Sequence, residues 1–146
     1  MILKLPSRME EILVKKAESG LKEVEIAKEL GISKQAVSKA LKEARAKLTQ
    51  IFLSLSDILN SDIIKINVEK GFMVLRNRET GEKIYVVYIP GQGPQVFLGR
   101  TEDIDVNRQF YRRIIDAAVK WGLLDSNTID EDELLLIRKI IDKMEE

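Results

Sequence analysis

The chain contains neither cysteine nor histidine. The first absence removes any disulfide frame and any thiolate zinc site. The second removes the Ser-His-Asp and Cys-His nucleophiles and every imidazole metal ligand. Long hydrophobic runs are missing too: no apolar stretch reaches the roughly 18 residues that span a bilayer. The opening Met1-Ile2-Leu3-Lys4-Leu5-Pro6 is too short for the apolar core of a secretory leader. The expectation is a cytoplasmic protein that is not an enzyme, with no catalytic residues, no metal, no cofactor and no membrane partner.

What remains is a chain of 146 residues, room for one ordinary domain or two small ones. A hydrophobic fraction of 45% allows a packed core, and 33% charged residues is high without signalling disorder. Lys, Glu and Ile are abundant, a bias shared with thermophile intracellular proteins, where ion-pair networks are favoured. The net charge is zero but unevenly spread. Residues 1–50 hold 11 Lys and Arg against 7 Asp and Glu, and residues 51–146 hold 13 against 17. A basic head on an acidic body suits a DNA-binding module joined to a regulatory or assembly module.

The basic part reads as three or four helices. Ser7 and Glu10 form a capping-box pattern opening a helix over about 8–19, stopped by Gly20. Residues 23–30 follow, with Val24, Ile26, Ala27 and Leu30 toward the core and Gly31 as terminator. Ser33 is an N-cap for a third helix that turns Ala36, Val37, Ala40, Leu41, Ala44 and Leu48 inward. Ala27 must be small where the third helix crosses, Gly31 accepts the positive φ of the tight turn, and Ile32 and Val37 fill the wedge.

The run from Glu23 to Leu41 therefore has the pattern of a bacterial or archaeal helix-turn-helix. With the preceding helix and the continuation Lys42-Glu43-Ala44-Arg45-Ala46-Lys47-Leu48, residues 7–50 resemble sigma-factor region 4 and the archaeal Tfx-like regulators. The resemblance implies a transcription regulator with double-stranded DNA as partner, read by a recognition helix over about 33–48. It does not extend to the rest of the chain.

A recognition helix presents its N-terminal residues to base edges in the major groove. With the inward positions subtracted, Lys34, Gln35, Ser38, Lys39, Lys42 and Arg45 face outward, with Ser33 at the cap. Gln35 can pair bidentately with adenine, Lys39 can donate to guanine, and Ser38 tolerates several bases. Lys34, Lys42, Arg45 and Lys22 suit phosphates, and the amides beside Ser33 can meet one as well. One helix in one groove gives little specificity, so a homodimer on two half-sites is expected. The rival reading is a protein-interaction adaptor that keeps the fold without DNA.

From Thr49 the helical pattern continues nearly apolar through Ile51, Phe52, Leu53, Leu55, Ile58 and Leu59, either as a dimer seam or as an intrachain support. Asn60-Ser61-Asp62 breaks it. Ile64, Ile66 and Val68 then alternate with polar residues as a strand. Residues 72–76 and 83–89 flank a hairpin loop with Gly81 at a positive-φ position. Pro90 to Pro94 reads as loop and 95–98 as a fourth strand. Gly91-Gln92-Gly93 is not a phosphate loop, since prolines flank it and no Lys-Ser/Thr follows.

A helix over 105–121 places Val106, Phe110, Ile114, Ile115, Ala118 and Trp121 on one face. Its Arg108, Arg112 and Arg113 either bind an anion or pair with nearby acids, the favoured reading. Thr128 and Glu131 make a second capping-box pattern, opening a final helix with Leu134, Leu135, Ile137, Ile140, Ile141 and Met144 as its apolar stripe. That helix can serve a dimer or lie as a lid on the sheet. The acids between Asp103 and Glu133 match no calcium-loop spacing and are explained by helix dipoles.

The expected class is α+β: an N-terminal three- or four-helix helix-turn-helix domain, then a small antiparallel sheet packed with C-terminal helices. Its expected division is a DNA-binding domain at 1–50, a linking helix at 51–62, and a sensor or dimerisation domain at 63–146 with room for an unidentified small-molecule effector.

Overall fold

Local signals decide most of the elements seen in the computed structural model, which describes residues 3–128 and 130–146. Met1 and Ile2 of the opening six-residue stretch lie outside the described residues. Helix α1 spans Ser7–Ser19 and ends at Gly20, whose φ of 60° is left-handed. Helix α2 spans Glu23–Leu30 and ends at Gly31, with a φ of 66°. The turn closes when Ile32 N–H donates to the Ala27 carbonyl at 3.1 Å. Helix α3 opens at Ser33, whose hydroxyl accepts from Ala36 N–H at 3.0 Å, and runs unbroken from Lys34 to Ile58, across position 50. It stops where Asn60 takes a positive φ of 49°.

Four strands follow as a meander: β1 (Ser61–Asn67), β2 (Phe72–Asn77), β3 (Lys83–Ile89) and β4 (Gly93–Phe97), all pairs antiparallel and in the order β1-β2-β3-β4. Then come α4 (Thr101–Val106), α5 (Arg108–Lys120), a 3-10 turn at Ser126–Thr128, and α6 (Glu133–Glu145). The class is α+β, as the sequence pattern indicates.

The pleat separates two faces, and helices cover both. Val74, Tyr85 and Phe97 are cross-strand neighbours. Their face meets the C-terminal helices: the Phe97 ring lies 5.8 Å from that of Tyr111 in α5, and the Tyr85 hydroxyl donates to Glu145 in α6 at 3.3 Å. Met73 and Val86 occupy the other face, with Tyr88 two residues further along β3. There the Tyr88 hydroxyl donates to Glu10 of α1 at 2.7 Å and accepts from Leu5 N–H at 2.8 Å. Residues buried on both faces give β2 and β3 their near-continuous apolar runs. One contiguous core joins Ile12, Leu13 and Ile26 of the head to Phe52 of α3 and to the sheet.

Several local expectations are corrected. Ser7 does not cap α1: Pro6 precedes the helix and its carbonyl accepts from Glu10 N–H, while the Glu10 carboxylate is taken by Tyr88. Val24 and Ala36 are exposed, because the inter-helix contact runs through Ile26, Ala27 and Val37 instead. The helix expected over 105–121 is two helices meeting at Asn107, which leaves Val106 at the corner and 77% exposed. Thr128 does not cap the last helix, because the 3-10 turn consumes it; Asp132 caps instead, accepting from Leu134 N–H at 3.0 Å. That start rotates the buried stripe onto Leu136 and leaves Leu135 half-exposed. Pro94 is not loop but the second residue of β4, where an edge strand tolerates a missing N–H.

Candidate nucleic-acid interface

The helix-turn-helix is braced so that the first turns of α3 stand clear of the core. Val37, Leu41, Ala44 and Leu48 are buried along its inner side. Lys15 of α1 pairs with Glu29 of α2 at 3.3 Å, and the Lys16 ammonium donates to the Leu21 carbonyl at 3.0 Å. Across the α2–α3 angle the Ser38 hydroxyl donates to Glu23 at 2.6 Å.

The exposed side of α3 begins with Ser33, Lys34, Gln35 and Ala36 and continues through Lys39 and Lys42, with Lys22 exposed at the start of α2. Among the described residues no hydrogen bond or ion pair engages the side chains of Lys34, Gln35 or Lys42. Lys39 is 78% exposed and meets only Glu43 of its own helix, at 3.9 Å. This leaves three ammonium groups and one carboxamide presented to solvent on about two turns of one helix, a surface suited to anionic, hydrogen-bonding partners.

Two of the expected contact residues are engaged elsewhere. Ser38 is half-buried and bonded to Glu23. Arg45 pairs with Glu69, in the β1–β2 turn, where its Nη2 lies 3.2 Å from Oε2 and its Nε makes a still closer contact. Ser33 keeps its capping role. Lys22, Lys34, Gln35, Lys39 and Lys42 lie on the open surface, and Ser38 and Arg45 lie at its margins.

Residue patterns missed three participants. Ala36 presents a methyl group beside Gln35, a group that fits the thymine methyl. It was assigned inward because alanine at helical spacing reads as core. Glu23 and Glu69 reach Ser38 and Arg45 from 15 and 24 residues away, which no local spacing reveals. A groove of about 390 Å³ adjoins the later part of α3, between Lys4 and Pro6 on one side and Lys47, Gln50 and Ser54 on the other.

Residues 1–48 match the family model for Sigma-70, region 4. The match ends inside α3, so it covers the three helices of the head and not the sheet or the helices beyond it. It agrees with the resemblance drawn from Glu23 to Leu48, and the head is a helix-turn-helix of the sigma region 4 type. Comparison with curated proteins and with solved structures gave no match.

The body offers no competing chemistry among the described residues, where no group of three or more acidic side chains converges as a metal site. Its acids are spent on arginines. Arg108 bonds Asp105 at 2.9 Å and Asp132 at 3.1 Å, and Arg112 pairs with Glu133 at 3.5 Å. The Arg108 hydrogen bond holds Asp132 below the usual carboxylate range. No helix among the described residues is long and apolar enough to cross a membrane.

Proposed function

We propose that this protein is a sequence-specific DNA-binding regulator of transcription, acting as a homodimer through the exposed face of α3. The observation that carries the reading is the unpartnered face formed by Lys34, Gln35, Lys39 and Lys42 on a helix-turn-helix of the sigma region 4 type. Gln35 reads adenine and Lys39 guanine, both near the N-terminal end that enters the major groove first. Lys22, Lys34 and Lys42 hold phosphates, and the Ser33 turn offers backbone amides to another. Ser38 lends its hydroxyl to a base while Glu23 fixes its rotamer, and Arg45 joins the phosphate set when it leaves Glu69. Residues 1–50 form the reading head, 51–62 the link, and 63–146 the sensor and dimerisation body. The protein works by binding, without catalysis, in the cytoplasm.

Selection of bound sequences from random duplex DNA tests this. A palindromic consensus with half-sites about one helical turn apart is expected, together with a solution mass of twice the chain. Gln35→Ala should relax the preference at one adenine position. A head that enriches no sequence, in a protein that instead retains another protein through the α3 face, would favour the adaptor reading.

A further inference from the structure

The body is acid-rich, and most of its cations sit on carboxylates: Arg78 on Asp62, Lys83 on Glu145, Arg100 on Glu82, Lys139 on Glu131. Lys65 and Lys70 are exceptions. Both are half-buried, and both donate to backbone carbonyls, Lys65 to Glu146 at 2.6 Å and Lys70 to Ala17 at 3.4 Å. They line a cavity of about 360 Å³ together with Asn67, Phe72 and Lys143. The one carboxylate there is Glu146, which stands 3.8 Å from the Lys143 ammonium. A second cavity of about 570 Å³ shares Gly122, Leu123 and Lys143 with the first, so the space continues past the lysines.

We infer that this cavity, between the β1–β2 turn and α6, binds a small multivalent anion of the phosphate-ester or pyrophosphate class. Three ammonium groups facing one carboxylate leave an excess of positive charge that a compact polyanion neutralises. Asn67 already uses its side-chain oxygen to accept from Lys70 N–H at 3.0 Å, which leaves its amide hydrogens to donate to a ligand oxygen. The Phe72 ring, under Lys65 at 5.8 Å, supplies an apolar floor for an organic portion. The ligand displaces Glu146 and takes over the lysines' carbonyl bonds, exchanging neutral acceptors for charged ones. The same turn carries Glu69, the partner of Arg45, so the occupied cavity lies one residue from the contact that reaches α3.

The site has a built-in reporter. Trp121 is the single tryptophan of the chain, and its indole lies against Gly71, next to Lys70. The test is a titration of the full chain with pyrophosphate at fixed ionic strength, read by Trp121 fluorescence and by calorimetry. A saturable response with a midpoint below about 1 mM is expected. Lys70→Gln and Lys143→Gln should each raise that midpoint about tenfold or more, while Lys28→Gln, on the head, leaves it unchanged. Lys143 is a surface residue of α6, so its replacement keeps the fold even if that of Lys70 does not. Absence of saturation by both readouts, or an identical midpoint in the Lys143 variant, would overturn the assignment. No DNA is present, so this outcome is independent of the reading of α3.

Discussion

Arg45, on the recognition helix, and Glu69, in the β1–β2 turn, form an ion pair that joins the head to the body, with Nη2 and Oε2 3.2 Å apart. Both side chains are more than a third exposed, so the pair itself contributes little to stability, on the order of 1 kcal/mol or less. Its significance is competition: a guanidinium held by Glu69 is not available to a phosphate.

Removing the competitor should therefore strengthen DNA binding. Glu69→Gln is expected to raise affinity by up to about fivefold, the range of an exposed pair. The gain should vanish when Arg45 is already alanine, because the two substitutions then act on the same contact. A double-mutant cycle read by mobility shift checks this, and an undiminished gain in the Arg45→Ala background would place the effect elsewhere.

Gly71 tests the packing between hairpin and helices. Its φ is +65°, and a Cβ there would overlap the Trp121 indole. That ring is fully buried and donates to the Tyr88 carbonyl at 2.7 Å. Gly71→Ala meets an unfavourable backbone conformation and a rigid ring at once, so a loss of about 3 kcal/mol or more is expected. Thermal unfolding measures it; a loss below about 1 kcal/mol would contradict the packing described.

The three tyrosines, Tyr85, Tyr88 and Tyr111, all have hydroxyls raised above the ordinary value, in each case chiefly by burial. Burial and the nearby Glu145 push Tyr85 up to about 12. The folded state thus keeps protons that the unfolded chain loses near pH 10. Stability is unaffected below pH 10 and falls as pH rises from there toward 12. Tyrosinate absorbance should appear together with loss of far-ultraviolet circular dichroism. A tyrosine ionising near pH 10 in the folded protein would contradict this.

The head was legible because its geometry is local: Gly20, Gly31 and Ser33 each act within a few residues, and all three perform their expected roles. The hairpin around Gly81 was legible for the same reason. Strand order was not, since nothing in an alternating pattern names its neighbour. Ser7 and Thr128 misled because a capping-box pattern competes with other partners. Glu10 reaches Tyr88 in β3, 78 residues away, and Thr128 donates its hydroxyl to the Asp125 carbonyl at 2.7 Å. In the interface the exposed lysines of α3 were readable from helical spacing, whereas the engagement of Ser38 and Arg45 depends on the tertiary fold. Asn107 ends α4 and precedes α5 without a glycine or proline to mark the break.

The central claim is that the outer face of α3 binds DNA, and the salt dependence of binding, compared between the native chain and Lys39→Glu, tests it most directly. The native protein should lose affinity steeply with added salt, log K falling against log salt with a slope of about 0.9 for each phosphate neutralised. Lys39→Glu, which reverses the most exposed charge in the middle of that face, should weaken binding by about tenfold or more at every salt concentration while leaving the melting curve unchanged. Equal affinities for the two proteins, or binding indifferent to salt, would contradict the account.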